Sequence, residues 1–212
     1  MIRAVCFDIA GVLTAPIGPA FLAQAQAAGL DLLDLQNSAL AALSLPGDGD
    51  LPANRLERGE ISLGEFFDSV HPDDRATRVL FDPASKHFVP AFFEPSSAMH
   101  GFARELHAEG YRLAVISNGV HEWVPFWEAM IPGPDLFDVV VHSCKVGHRK
   151  PNPAIYYHAL VQLGLEPEQT LFLDDFEAMV EGARSIGMHA VHVTEHADAV
   201  AEARALLTAL SA

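Results

Sequence analysis

The sequence predicts an α/β fold in which a doubly wound parallel sheet forms a Rossmann-like core, with an all-helical cap inserted after the first strand. The first observation behind this prediction is that short apolar, β-branched segments alternate with amphipathic segments of helical length. The second is a long stretch of helical pattern between the first and second strands. Because parallel strands need crossover connections, the alternation is typical of a parallel sheet covered by helices.

The core elements follow from these patterns. Five segments rich in apolar and β-branched residues are predicted strands, at residues 2–7, 111–117, 138–142, 170–173 and 190–194. Apolar spacing of three and four residues predicts helices at residues 97–109, 120–130, 153–163 and 178–186. From the second strand onward, strands and helices therefore alternate.

The segment between the first two strands is too long for a simple crossover. Helical spacing occurs at Phe21, Leu22, Ala25, Ala28, Leu32, Leu35, Leu40, Leu43, Leu63, Phe66, Phe67 and Val70. A break rich in Pro, Gly and Asp interrupts it at residues 46–52. We expect a helical cap at residues 15–95 and a core made of residues 1–14 and 96–212. Such a cap would lie over the carboxyl ends of the strands, where these sheets bind ligands.

Composition limits the classes of partner. The 212 residues are 50% hydrophobic, and 13 Lys plus Arg stand against 28 Asp plus Glu, for a formal charge of −15. This excess of acidic residues argues against binding to nucleic acid or to an anionic membrane. The two cysteines, Cys6 and Cys144, and an N-terminus unlike a signal peptide favour a cytoplasmic protein. The sequence leaves the oligomeric state open.

Polar residues follow the predicted strands at the point where each strand ends. They are Asp8, the run Ser117, Asn118 and Gly119, Lys150 in a proline-rich loop, and the pair Asp174 and Asp175. Any one of them alone is explained by turn capping. Together they bring a nucleophile, anion donors, a cation and metal ligands to one edge of a parallel sheet, which indicates a functional site.

Phosphoryl transfer explains the acidic members of this set. A carboxylate such as Asp8 that attacks a phosphoryl group meets like-charge repulsion, so a hard cation must bridge the two. Oxygen ligands from Asp8, a backbone carbonyl and the pair Asp174 and Asp175 suit Mg²⁺. An aspartyl-phosphate would then divide one difficult displacement into two easier steps.

The remaining members have matching roles. The ammonium of Lys150 would keep Asp8 ionised and offset the charge on the transferring group. The hydroxyl of Ser117 and the backbone N–H groups of Asn118 and Gly119 would hold the other phosphoryl oxygens. The sequence therefore predicts that Ser117, Asn118, Gly119 and Lys150 bind a small phosphorylated substrate.

Four segments resemble the four motifs of the haloacid dehalogenase-like hydrolases: FDIAGVLT, VISNG, GHRKPNPAIY and LFLDDFEAMVEGARSIGM. The segment RLERGEISLGEFF, at residues 55–67, resembles the helical cap of the branch that contains the epoxide hydrolase N-terminal phosphatase and sugar-1-phosphatases. The resemblance implies a magnesium-dependent phosphatase. It further implies that Asp8 is the nucleophile, that Ser117 donates a hydrogen bond to the phosphate, and that Lys150 balances charge. For the metal, it implies that Asp175 and the Ala10 carbonyl are direct ligands and that Asp174 acts indirectly.

Ala10 departs from the family pattern, because most phosphatases of this family have Asp two residues after the nucleophile. That Asp serves as general acid and then as general base, which is worth ~10²- to 10⁴-fold in rate. We therefore expect slow turnover or a preference for good leaving groups. His148, two residues before Lys150, is the first candidate for a substitute acid.

Two alternatives remain, and a third, phosphonate cleavage, fails on the residues present. A dehalogenase of the L-2-haloacid type would use Asp8 without metal and leave the Asp174 and Asp175 pair unexplained. A phosphonate-cleaving relative would need a cap lysine, and no Lys precedes Lys86. A catalytically impaired phosphate-binding protein remains open because of Ala10.

Other side chains have simpler interpretations. Trp123, Phe126 and Trp127 are interpreted as core or cap-contact aromatics. The cluster His189, His192 and His196 is interpreted as surface or packing residues, because the first two alternate in face along a strand. Arg55 and Arg58 are candidate substrate contacts.

Overall fold

A computed structural model of the chain describes residues 1–39, 47–71, 73–133 and 135–210. Five parallel strands form one sheet in the order β3-β2-β1-β4-β5. The strands are β1 (Ala4–Phe7), β2 (Arg112–Ser117), β3 (Val139–His142), β4 (Thr170–Asp174) and β5 (His189–His192). All five predicted strands are present, and the reversal of strand order at β1 confirms the doubly wound Rossmann-like core.

Alternate residues of each strand bury against opposite layers of helices. Val5 and Phe7 belong to one core cluster, together with apolar residues of α6 (Ser97–Ala108) and α11 (His196–Ala209). Ala4 and Cys6 belong to a second cluster, with residues of α9 (Pro153–Leu163) and α10 (Glu177–Ser185). Both faces of the sheet are covered, which explains why β1 is apolar at every position. Helix α11 was missing from the predicted elements.

Between β1 and β2, the described residues are mostly helical, as the sequence predicts. It contains α1 (Ile17–Ala27), α2 (Leu32–Gln36), α3 (Pro52–Glu57), α4 (Leu63–Ser69), α5 (Arg75–Phe81) and a 3₁₀ turn (Val89–Phe92). Reciprocal capping by Asp31 with Asp34 and by Ser62 with Glu65 starts α2 and α4. The predicted positions Leu40 and Leu43, and the start of the break at residue 46, lie outside the described residues.

The segment after β2 is less regular than the single helix predicted for residues 120–130. A 3₁₀ turn (His121–Trp123) leads directly into α7 (Val124–Glu128). Pro125 lies in the first turn of α7, where a residue without an N–H group is tolerated. After β3, the short helix α8 (Ser143–Val146) ends at Gly147 in the left-handed conformation, and the following loop carries Lys150.

The strand register brings the predicted functional positions to one edge of the sheet. Phe7 is paired with Val115 of β2 and with Leu173 of β4, so the residues that follow these strands emerge side by side. The N–H of Asp8 donates to the Leu173 carbonyl at 2.9 Å, which extends the pairing one residue beyond β1. Among the described residues, none of the helices combines the length and hydrophobicity needed to cross a bilayer.

Candidate active site

The loop Asp8–Thr14 leaves β1 in a tight turn that faces the end of β4. Gly11 has φ 75°, which favours glycine, and a Cβ at that position would lie 2.2 Å from Asp175 Oδ2. The Gly11 N–H donates to Thr14 Oγ1 at 2.8 Å, which holds the turn closed. Glycine is therefore required here for two reasons, the backbone conformation and the close approach of Asp175.

Three carboxylates meet at this edge. Asp8, Asp174 and Asp175 each offer an oxygen, and these oxygens lie within 4.8 Å of one another. Burial, followed by the charges of Asp8 and Asp174, raises the pKa of Asp175 to about 8. Burial also raises the pKa of Asp174 to about 6. The cluster accumulates negative charge in a region where water cannot screen it.

Lys150 is the cation that faces this cluster. Its Nζ lies 2.6 Å from Asp174 Oδ2 and 2.9 Å from Asp8 Oδ1, and its side chain is buried. Burial would lower the pKa of Lys150, but the charges of Asp174 and Asp8 raise it above its usual value. Asn118 fixes the loop, because its Oδ1 accepts from the Lys150 N–H at 2.8 Å and its Nδ2 donates to the Lys150 carbonyl at 3.2 Å.

The three carboxylates differ in how their oxygens are satisfied. Asp174 Oδ2 accepts from Lys150 Nζ, and its Oδ1 accepts from the Phe176 N–H at 2.9 Å. In contrast, Asp175 Oδ1 is buried and accepts no hydrogen bond from the described residues, and Asp8 Oδ1 faces the same Lys150 Nζ at 2.9 Å. Three carboxylates that share one ammonium, one of them with a buried oxygen that lacks a donor, fit a hard divalent cation such as Mg²⁺.

The predicted anion donors follow β2 in different environments. Ser117 is buried, and its Oγ donates only a long bond of 3.4 Å to the Asn118 carbonyl. The Gly119 N–H already donates to Ser143 Oγ at 2.9 Å. Of these three, Asn118 lines the adjacent cavity, whereas Ser117 and Gly119 are not among its described lining residues.

A cavity of about 520 Å³ opens beside the cluster. One group of its lining residues, here called the polar wall, consists of Asp8, Glu57, Asn118, Lys150 and Asp174, with Ala10 beside them. A second group, here called the aromatic wall, consists of Phe21, Phe81, Phe93, Trp123 and Trp127. Leucines of α2 also line the cavity. The structure therefore places Asp8 and Lys150, two of the predicted catalytic residues, beside a mainly apolar space.

The aromatic wall is a packed set of rings. Phe81 and Trp123 have ring centroids 4.9 Å apart, and Phe93 stacks on Trp127 at 5.3 Å. The interpretation of Trp123 and Trp127 as core residues was incomplete, because both are buried in the core and also line the cavity. In the sequence, the two tryptophans follow the second motif and are four residues apart, which places them on one helix face. Core packing produces the same spacing, so the sequence alone did not indicate a cavity.

Sequence analysis missed an ion pair that joins the predicted cap to the Lys150 loop. Arg149 is completely buried, and its Nε lies 2.6 Å from Glu57 Oε2 in α3. It also donates to the Gly47 carbonyl. Burial raises the pKa of Glu57, and Arg149 opposes that shift. The residue next to Lys150 is thus fixed to α3.

Three candidates lie away from the cavity. His148 is exposed and does not line it among the described residues, so its place as the first substitute acid gains no support. Arg58 pairs with Asp48 at 2.7 Å and with Glu60 at 2.6 Å, and Arg55 reaches Glu60 at 3.4 Å. Both arginines are engaged in ion pairs outside the lining residues.

Two histidines of the cluster contact the site through backbone atoms. His192 Nε2 lies 3.0 Å from the Asp175 carbonyl, and His196 Nε2 lies 2.9 Å from the Gly11 carbonyl. They support the two turns that bring Asp175 against Gly11. The two histidines therefore have a packing role, and they exert it on the backbone of the candidate active site.

Two curated relatives are similar to this chain over more than nine tenths of its length. Acyl-CoA dehydrogenase family member 10 of Mus musculus is 30% identical over 97% of the chain, which spans 19% of that protein. Glyceraldehyde 3-phosphate phosphatase of Methanothermobacter thermautotrophicus is 31% identical over 91% of the chain and 86% of that protein. The chain therefore spans about a fifth of the first relative and most of the second.

Solved structures share the fold. A HAD-like family hydrolase from Porphyromonas gingivalis has 27% identity and a TM-score of 0.68, covering 97% of this chain and 98% of its own. A HAD family enzyme from Bacteroides thetaiotaomicron, in complex with magnesium and inorganic phosphate, has 20% identity and a TM-score of 0.62, covering 91% and 94%. The family model for haloacid dehalogenase-like hydrolases matches residues 2–187. The chain belongs to the haloacid dehalogenase-like hydrolases.

Proposed function

We propose that this hydrolase is a magnesium-dependent phosphatase that acts on a small phosphorylated molecule through an aspartyl-phosphate at Asp8. The observation that carries the proposal is the cluster of three carboxylates beside the single ammonium of Lys150, with a buried oxygen on Asp175 that lacks a donor among the described residues. The relative from M. thermautotrophicus is named as a phosphatase, which supports the same chemistry.

The metal would be held by Asp8, Asp175 and the Ala10 carbonyl, and its charge would offset the repulsion between Asp8 and the incoming phosphoryl group. Asp175 is the better direct ligand, because Asp174 already accepts hydrogen bonds at both oxygens. Asp174 would instead hold Lys150 in place and act on the ion indirectly. This division of roles explains why the chain carries two adjacent aspartates.

In the first chemical step, an Asp8 oxygen would attack phosphorus, the bond from phosphorus to the leaving-group oxygen would break, and Lys150 would neutralise charge on the transferring oxygens. The Ser117 hydroxyl and the Asn118 N–H would bind the remaining phosphoryl oxygens. Gly119 could join them only after its N–H leaves Ser143. Before this step, the substrate would reach Asp8 from the cavity, along the polar wall.

The second step, attack of water on the phosphorylated Asp8, lacks the usual base at position 10. Ala10 lines the cavity and supplies no carboxylate. Glu57, the cap carboxylate on the polar wall, is held by Arg149 at 2.6 Å. Hydrolysis of the intermediate is therefore expected to be the slow step, and leaving groups that need no proton are expected to react fastest in the first step.

Residues 15–95, which contain helices α1 to α5, would form the cap of this enzyme, and residues 1–14 and 96–212 would form its catalytic core. The cavity is lined by residues of both parts, such as Phe21 and Phe81 from the cap and Asp8 and Lys150 from the core. Substrate selection would thus fall to the cap.

A second candidate, a phosphate-binding protein without turnover, is favoured only by Ala10. Dehalogenation is less well supported, because it uses Asp8 without a metal and would leave the charge of Asp174 and Asp175 uncompensated. One screen separates these functions: phosphate release from phosphate esters, sugar phosphates and acyl phosphates, with magnesium and with chelator, beside halide release from 2-haloacids. Magnesium-dependent phosphate release supports the proposal. Halide release that resists chelator, or no turnover of any substrate, contradicts it.

A further inference from the structure

We infer that the substrate of this phosphatase carries an apolar group poor in hydroxyls, an alkyl chain or an aromatic ring system, which lies against the aromatic wall and Leu32 of α2. The inference rests on the proposed function, phosphoryl transfer to Asp8, and adds the chemical class of the group attached to phosphorus. It starts from the division of the cavity into a polar and an aromatic wall.

The two walls are built for different contacts. The polar wall groups Asp8, Lys150 and Asp174 within hydrogen-bonding or ion-pair distance, which suits a phosphoryl group. The aromatic wall joins Phe21 to Phe81, with ring centroids 6.5 Å apart, and Phe81 to Trp123. A phosphorylated molecule that occupies both walls must be charged at one end and apolar at the other.

A sugar phosphate would find few partners here. Beyond the polar wall, the polar side-chain groups among the described lining residues are the Gln36 amide and two indole N–H groups. The Trp123 N–H already donates to the Phe81 carbonyl at 3.1 Å, and the Trp127 N–H is buried without a partner. A sugar has several hydroxyls, and each one buried without a hydrogen bond weakens binding. The lining therefore favours a substrate whose organic group has at most one or two polar atoms.

The size of the cavity agrees with an organic group larger than phosphate. About 520 Å³ lies within the range of sites that enclose whole organic ligands. Leu32 of α2 lines this space while 69% of its surface is exposed to solvent. An apolar ligand would cover Leu32 and remove that surface from water, which is a favourable contact that a sugar cannot match.

The first test uses linear acyl phosphates from two to ten carbons, because their carboxylate leaving groups differ little while the apolar chain grows. With magnesium, we expect kcat/KM to rise by up to about fourfold for each added methylene until the cavity is filled. A flat or falling series, or faster turnover of glucose 6-phosphate than of octyl phosphate, would overturn the inferred class. Absence of phosphate release from every acyl phosphate would instead contradict the proposed function.

Binding gives a readout that does not need turnover. Linear alkylphosphonates cannot be hydrolysed, and calorimetry with magnesium present measures their affinity. We expect octylphosphonate to bind at least about tenfold more tightly than ethylphosphonate. Equal affinities would contradict the inference even in a protein without phosphatase activity.

A matched pair of variants on α2 locates the effect. Leu32 lines the cavity, whereas Leu33, 62% exposed on the same helix, does not line it. Because Leu32 is exposed, Leu32→Gln leaves the folded core intact. We expect it to reduce the ratio of kcat/KM for octanoyl over acetyl phosphate by about tenfold. Leu33→Gln should leave that ratio unchanged, and equal effects of the two substitutions would show that the apolar group does not lie against α2.

Discussion

The two walls of the cavity differ in how the protein fixes them. On the polar wall, Asp8 and Asn118 directly follow strands of the parallel sheet and Asp174 ends one, and these three residues hold Lys150 in place. The aromatic wall comes from single side chains on short helices and turns. Backbone pairing therefore sets the geometry of the chemistry, whereas side-chain packing sets the shape of the space for the rest of the substrate.

This contrast predicts that changes on the polar wall affect turnover of all substrates, and changes on the aromatic wall affect the choice among them. On the polar wall, the charge of a side chain can be removed without changing its shape, because Asp and Asn have nearly the same size. On the aromatic wall, almost any substitution changes the shape of the cavity. At the polar wall, the buried pair of Arg149 and Glu57 joins α3 to the Lys150 loop.

The largest expected effect is the loss of the nucleophile. Asp8→Asn keeps the shape of the side chain but removes the attacking oxygen, so we expect kcat for acyl phosphates to fall at least about 10⁴-fold. Phosphate release under saturating substrate and magnesium measures the loss, with circular dichroism as the control for folding. Substantial residual activity in a folded variant would place the nucleophile elsewhere.

The second largest expected effect is on stability, from loss of the buried ion pair between Glu57 and Arg149. Glu57→Ala would leave the buried Arg149 charge unpaired, and we expect the free energy of unfolding to fall by about 3–5 kcal/mol. Urea denaturation followed by fluorescence of the two tryptophans measures it. The matched control is Glu60→Ala, because Glu60 pairs with Arg58 at a side chain that is 43% exposed. That change should cost about 1 kcal/mol or less. Similar losses in the two variants would show that Arg149 does not depend on Glu57.

The smallest expected effect restores the missing acid. Ala10→Asp would supply a carboxylate beside the leaving group, and we expect kcat/KM for alkyl phosphates to rise by up to ~10²-fold. Rates for a graded series of aryl phosphates should depend steeply on leaving-group pKa in the unchanged protein and less steeply in the variant. Equal, shallow dependence in both would mean that another group, with Glu57 as the candidate from this structure, already donates the proton.

Except for Glu57, the residues of the polar wall could be identified from the sequence, because few geometric unknowns separate strand ends in a parallel sheet from one another. Asp8 and Asp174 each follow an apolar segment, and parallel pairing of two such segments places their ends together. The family motifs then supply the order of roles. The five strands could be predicted for the same reason, since fully buried strands are recognisable as short apolar runs.

The aromatic wall could not be predicted in this way. Phe21, Phe81, Phe93 and Trp127 are far apart in the chain, and each lies in a pattern that ordinary core packing also produces. Which of their faces borders a cavity depends on how short helices pack, and sequence periodicity does not contain that information.

The pair of Glu57 and Arg149 shows the same limit for charged residues. Their positions, 92 residues apart, gave no sign that they meet. On average, Glu and Arg lie at the surface, so sequence analysis had no reason to place them inside the protein. The pair arises because α3 approaches the Lys150 loop, which only the three-dimensional structure reveals.

The central claim is that Asp8 carries the phosphoryl group, and trapping of that intermediate tests it most directly. The protein is mixed with an acyl phosphate and magnesium, quenched with acid within milliseconds to seconds, and reduced with borohydride, which converts aspartyl-phosphate to homoserine. Peptide mass spectrometry then locates the modified residue. The account predicts homoserine at position 8, at high occupancy because no carboxylate at position 10 activates water, and none in the presence of chelator. Modification at another residue, or phosphate release during which Asp8 stays unmodified, would contradict it.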